Sequence, residues 1–271
     1  MTDPIPSLSL DALLASRRDQ EAESRFEADA GWLQGRSLFG GLQAAFLLAA
    51  MRRQLPQPAP LRSLQVSFIG PVPAGEVRIR AQLLRAGRTA AQVEGRLLDA
   101  SGATLCAAIA LFGPARESVV RIPPPAVPID WPPATRPVPR VPGMTPEFLR
   151  HFHMHWLEGH PPYSGGGGTR VSLGLGFADP VAAIGEEHLL ALADVIPPLG
   201  LSHLRSPTNG SSVGWMLELL EPVAADTPAQ GWQFRAELQS AGHGYLSQSG
   251  VLLRPDGVPA ALSRQTMVIF A

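Results

Sequence analysis

The sequence predicts an α+β fold in which a buried helix followed by an antiparallel four-strand meander occurs twice in one chain. Three observations predict it. A proline-dense stretch breaks the chain near its middle, the parts on either side match in order, and each part carries period-two apolar segments.

The break runs from Ile122 to Gly143, IPPPAVPIDWPPATRPVPRVPG. Proline at that density removes backbone donors and fixes φ, so neither helix nor sheet continues through it. The expected division is residues 1–120, an extended linker at 121–143, and residues 144–271.

Across this break, Ser67-Phe68-Ile69-Gly70-Pro71-Val72 matches Glu218-Leu219-Leu220-Glu221-Pro222-Val223 at a spacing of 151. Arg85-Ala86-Gly87 matches Ser240-Ala241-Gly242, and Ala100-Ser101-Gly102 matches Pro255-Asp256-Gly257, both at 155. A longer loop around 225–231 accounts for the change of four. Three ordered matches imply an internal duplication.

In the first copy, Phe39-Gly40-Gly41 precedes LQAAFLLAAMRRQ, an Ala/Leu-rich helix closed by two arginines that suit its C-terminus. It is apolar nearly all round, which implies burial on most faces. Alternating segments follow at 64–69, 76–84, 91–98 and 104–112, separated by turn signals. The second copy repeats them at 213–220, 232–239, 245–253 and 260–270, after a less regular helix near 187–201 interrupted by Pro197-Pro198. An apolar helix wrapped by a long antiparallel sheet is the hotdog pattern. Twice in one chain, it is a double hotdog.

The formal net charge is −1 and all 22 basic residues are Arg, with no basic patch, so nucleic acid is a poor partner. The single cysteine, Cys106, precludes an intramolecular disulfide and fits a reducing compartment. The N-terminus lacks a basic start and an apolar run, and Leu42–Met51 is about half of a bilayer crossing. The expectation is a cytoplasmic protein without a membrane span. In His151-Phe152-His153-Met154-His155-Trp156, alternation puts the three histidines on one strand face, expected outward rather than as a metal site. Gly165–Gly168 lacks the Lys-Ser/Thr of a phosphate loop.

Arg36-Ser37-Leu38-Phe39-Gly40-Gly41-Leu42-Gln43, Ser67-Phe68-Ile69-Gly70-Pro71 and Pro162-Tyr163-Ser164-Gly165-Gly166 resemble, in order, motifs of the TesB-like (type II) acyl-CoA thioesterases. The likeness runs from about Arg25 to Phe270. It implies a catalytic Asp, a Ser/Thr and a Gln in the second copy, which fall on Asp194, Ser212 and Gln265. Ser212 is placed by counting back from Pro222, with Ser211 its nearest competitor. Many relatives carry Thr where this chain has Ser212, and the family's strand histidine is replaced by a neighbourhood of Arg62 and Gln65.

Thioester hydrolysis needs a positioned water and a cradle for the developing oxyanion. Asp194, flanked by Leu192, Ala193, Val195 and Ile196, suits a buried carboxylate base. Ser212 and Gln265 each donate and accept, so they can orient the water. The N–H groups of Gly40 and Gly41 at a helix start can hold the substrate oxygen. At the spacing of 155, Gln265 corresponds to Ala110, so this polar residue belongs to one copy only.

The resulting expectation is hydrolysis of acyl-CoA or another acyl thioester in an apolar tunnel shaped by residues such as Phe46, Met51 and Trp215. It requires no metal or redox cofactor, and the resemblance implies a homodimer or larger homo-oligomer. The alternatives are a non-catalytic acyl binder and a hotdog hydratase or dehydratase, which ordinarily pairs its Asp with a His.

Overall fold

The structure, a computed structural model, describes residues 7–129, 136–141, 143–224 and 226–270, and the backbone alone at Arg136. Within the expected linker, 130–135 and 142 lie outside the described residues.

The first part of the chain forms α1 (Leu10–Ala15), β1 (Arg18–Gln20), β2 (Glu23–Ala28), β3 (Leu33–Gln34), β4 (Ser37–Leu38), α2 (Gly40–Arg52), β5 (Leu61–Phe68), β6 (Gly75–Ala86), β7 (Ala91–Leu98) and β8 (Thr104–Phe112). The second forms β9 (Arg136–Pro137), β10 (Phe152–Glu158), β11 (Arg170–Phe177), α3 (Glu186–Asp194), β12 (Gly210–Leu219), β13 (Trp232–Gly242), β14 (Tyr245–Leu253) and β15 (Pro259–Ile269). Short 3-10 turns occupy Glu147–His151 and Leu199–His203.

Among the described residues, thirteen strands make one antiparallel sheet in the order β1-β2-β6-β7-β8-β5-β12-β15-β14-β13-β11-β10-β9. The copies join where β5 pairs with β12, with Val66 opposite Trp215 and Leu64 opposite Leu217. This is the double hotdog that the sequence predicts. The duplication is visible in the register as well. Ala110 lies between Leu64 and Val93, and Gln265 lies between Trp215 and Gln248. Those pairs repeat the spacings of 151 and 155 residue for residue.

The sheet wraps α2, in which every residue from Gly41 to Met51 is buried. An all-round apolar helix has no face to give to water, and the sheet with α3 covers it. α3 runs antiparallel to α2. Gly41 packs on the backbone of Ala191, while Arg52 at the far end pairs with Glu186 and Glu187. Both glycines in Phe39-Gly40-Gly41 serve close approach. A Cβ on Gly41 would meet Ala191 Cα at 3.0 Å and the Phe39 ring at 2.6 Å.

Two features differ from the sequence reading. The proline-rich stretch contributes β9 through Arg136 and Pro137, a two-residue edge strand beside β10, where a missing N–H faces away from the ladder. An N-terminal strap also crosses the helices. Leu10 and Leu13 of α1 are buried, Trp32 Nε1 donates to Leu8 O at 2.8 Å, and Arg17 Nη1 donates to Ala49 O at 3.0 Å. Among the described residues, no helix is long and apolar enough to cross a membrane.

Candidate active site

The last residue of α3, Asp194, lies against the first turn of α2. A Cβ on Gly40 would fall 2.6 Å from Asp194 Oδ2, so only glycine lets the carboxylate settle there. The Gly41 N–H donates to this carboxylate. The α2 N-terminus favours the charge, whereas the C-terminus of α3, to which Asp194 belongs, disfavours it.

From the sheet side, Gln265 Nε2 donates to Asp194 Oδ1 at 2.6 Å. Gln265 Oε1 accepts from Gln248 Nε2 at 3.1 Å, and Gln248 Oε1 accepts from the Leu199 N–H at 3.0 Å. Both glutamine side chains are 2% exposed. Asp194 as a residue retains some exposure, but protein encloses its carboxylate closely enough to strip its water. That desolvation raises its pKa to about 7, against the lowering effect of the Gly41 and Gln265 hydrogen bonds.

The first copy supplies the facing wall. The Phe68 ring sits beside Gly40, and the Asp194 charge joins burial in pushing the Cys106 thiol up to about 12. Such a thiol stays protonated and is no nucleophile. The Gly40 N–H has no partner among the described residues, and Gly40 keeps partial exposure.

Of the expected catalytic trio, Asp194 and Gln265 are in direct contact. Ser212 is not bonded to either. A bulge between Ser212 and Gly214 sets Ser212 opposite Met267, two residues beyond Gln265 along the same strand face. That offset is about 7 Å at the usual strand rise. Ser211 is exposed, with its hydroxyl on Ser212 O at 3.1 Å. Gln248 is absent from the sequence-derived set. Its signal was available, since it aligns with buried Val93 at the spacing of 155.

Phe46, Met51 and Trp215 are packed in the core rather than lining an open tunnel. Two surface depressions stand elsewhere. One of about 720 Å³ lies over strands β10 to β15 near Met216 and Arg264, and one of about 520 Å³ lies between His203 and Tyr245. Asp194 borders neither.

His151 corrects the outward expectation for the histidines. It ends the 3-10 turn instead of beginning the strand and is 2% exposed, while His153 is exposed and His155 half-buried. Its ring stacks on Trp32 at 4.0 Å, with Nδ1 2.6 Å from Asp179 Oδ2 and Nε2 2.9 Å from Ser7 Oγ. Burial lowers its pKa against the pull of Asp179. Ser7 Oγ also lies 2.7 Å from Asp29 Oδ1, so the chain runs on from His151 through Ser7 to a second carboxylate. It ties the N-terminal strap to both copies.

The family model of the acyl-CoA thioesterase N-terminal domain matches residues 28–113, and that of the C-terminal domain matches 125–269. No curated protein matches the sequence closely enough to count as a relative. Among solved structures, a hotdog-fold protein of Alicyclobacillus acidocaldarius is similar at TM-score 0.85 and 20% identity, covering 97% of this chain and 98% of its own. Acyl-CoA thioesterase II TesB2 of Mycobacterium marinum is similar at 0.72 and 18%, covering 96% of each chain. A tesB protein of Mycobacterium avium subspecies paratuberculosis gives 0.74 and 15%, covering 97% and 98%. Identities this low speak for the fold. With both family domains matched in order along one double hotdog, the chain belongs to the acyl-CoA thioesterase family.

Proposed function

We propose that the protein hydrolyses acyl-CoA or a related acyl thioester to the free acid and thiol, with Asp194 as general base. The observation that carries this reading is the 2.6 Å bond from Gln265 to a carboxylate whose pKa burial raises to about 7. A base so tuned is half ionised near neutral pH and takes a proton readily.

In the proposed reaction, a water held by Asp194 attacks the thioester carbonyl carbon and gives its proton to the carboxylate. The carbonyl π pair moves onto oxygen, and that oxyanion is met by the Gly40 N–H at the positive end of α2. Collapse of the tetrahedral intermediate re-forms C=O and breaks the C–S bond. The departing thiolate takes the proton from Asp194, which restores the base. Gly41 N–H is engaged with Asp194, so in this reading it positions the base and Gly40 receives the substrate oxygen. Ser212 is assigned to the approach of water or thioester along the Gln265 face. A hydratase reading is weaker, because the hydrogen-bond partners of Asp194 are Gly41 and Gln265 and include no histidine.

We also assign residues 1–120 and 144–271 as the two hotdog domains flanking a linker at 121–143. Ile109 and Leu262, exposed on the outer sheet face, fit a homo-oligomeric assembly, and the lone buried Cys106 fits a cytoplasmic location. The test is an acyl-CoA panel of graded chain length with free-thiol detection, on wild type and Asp194→Asn. Turnover in wild type that is lost in the variant supports the reading. Turnover retained in the variant removes Asp194 as base, and none on any chain length in wild type leaves the acyl-binder alternative.

A further inference from the structure

Gln265 can present either end of its amide to Asp194, since a flipped carboxamide has nearly the same shape. What selects the observed end lies two bonds away. The Leu199 N–H can only donate, so Gln248 must turn its oxygen toward it. The Gln248 nitrogen then faces Gln265, which must answer with its own oxygen and is left with its nitrogen for Asp194. Polarity passes from one backbone N–H, at the start of the Leu199–His203 turn, through two buried amides to the carboxylate.

We propose that Gln248 is a positioning residue whose hydrogen bond locks the Gln265 amide and so holds Asp194 Oδ1 as an acceptor. The inference deepens the reading of Asp194 as general base and rests on it. A duplicated fold supplies the internal control. Gln248 and Gln265 are cross-strand neighbours on β14 and β15, and the corresponding neighbours on β7 and β8 are Val93 and Ala110, both fully buried. The hotdog therefore closes well at this place with two apolar side chains. Two buried amides in their stead carry the desolvation cost of any group left unbonded. Packing does not call for them, whereas holding a carboxylate in one hydrogen-bonding state does.

The lock has a consequence for the proton. With Oδ1 committed to the Gln265 donor, the acid form carries its proton on Oδ2, the oxygen beside Gly40. That places the transferable proton at the first turn of α2, where the substrate oxygen is assigned.

The test reads the Asp194 carboxyl itself, by carbon-13 NMR titration of the full-length protein, with Asp194→Asn identifying the resonance. In Gln248→Val, which installs the residue of the first copy, Gln265 is free to turn its oxygen toward Asp194. Loss of that donor should raise the inflection by about one unit, with kcat on the responsive acyl-CoA falling about fivefold at neutral pH and KM nearly unchanged. Gln248→Glu accepts from Leu199 but, once ionised, cannot donate to Gln265. It should raise the inflection at least as far, and being isosteric it carries the test should the valine variant fold poorly. An inflection unmoved or lowered in a folded variant overturns the proposal. The base reading fails separately, if Asp194→Asn still turns over thioester.

Discussion

The two ends of the α2–α3 pair are built on the same plan and finished in opposite ways. At one end the last residue of α2, Arg52, meets the first turn of α3. It pairs with Glu186 and with Glu187 at 3.0 Å, while the Leu61 N–H donates to Glu186 and the Phe112 ring lies 5.8 Å below the guanidinium. Each charge there sits at the helix terminus that favours it. At the other end the last residue of α3 is Asp194, at the wrong pole of its own helix, with no cation among its hydrogen-bond partners and two amides behind it. Burial raises the carboxyls of Glu186 and Asp194 alike, but the Arg52 charge opposes it only at Glu186. The fold thus has an ion-paired way to close this junction, and the Asp194 end departs from it.

Removing the departure should have the largest effect. Asp194→Asn is expected to lower kcat/KM by about 10²–10⁴, the usual contribution of a general base. It should also stabilise the protein above pH 7. Asp194 binds its proton more tightly in the folded chain, with a pKa of about 7 against 3.8, so its contribution to stability is full below pH 3.8 and is lost as pH rises to about 7. Denaturation at pH 8 should show the variant more stable by a few kcal/mol, roughly the size of such a shift, and the gap should close near pH 4. In wild type, kcat/KM should rise with pH through about 7 as the base ionises, and a profile flat across that range would break the link between burial and activity.

Gly40→Ala should come next. Its Cβ would displace Oδ2 of Asp194, and a shift of about 1 Å in a reacting group costs on the order of 10² in rate. At the ion-paired end, Arg52→Met should spare the pH profile yet lower stability, near the low end of the roughly 3–5 kcal/mol for breaking a buried pair, because Arg52 is about one-third exposed. A changed inflection in that variant would mean that the two ends are coupled. Ser212→Ala should have the smallest effect, less than about tenfold in kcat/KM, since no hydrogen bond ties its hydroxyl to Asp194 or Gln265.

The strands were legible because alternation and turn residues agree. The segment 91–98 matches β7 and 104–112 matches β8 without adjustment. Gln265 was placed by the family resemblance, and the repeat supports it because one copy serves as the background for the other. The same contrast marks Gln248, whose counterpart in the first copy is Val93. Ser212 was harder. Counting back from Pro222 assumes an unbroken pleat, and the bulge before Gly214 adds a residue that no composition signal marks. His151 was misread because alternation was extended one residue past the end of a 3-10 turn. The strap was invisible for a different reason: α1 is six residues long and β1 is wholly exposed, so neither shows a period.

Pairing β5 with β12 puts the seam between the copies in the middle of a continuous ladder. Either copy synthesised alone would present the whole of that strand as an unsatisfied edge, the usual template for sticking to another chain. A gene cut between the copies should thus yield fragments that seek each other, or themselves. A self-paired first copy would juxtapose two arginine-capped junctions and no Asp194, leaving a folded object with nothing to do.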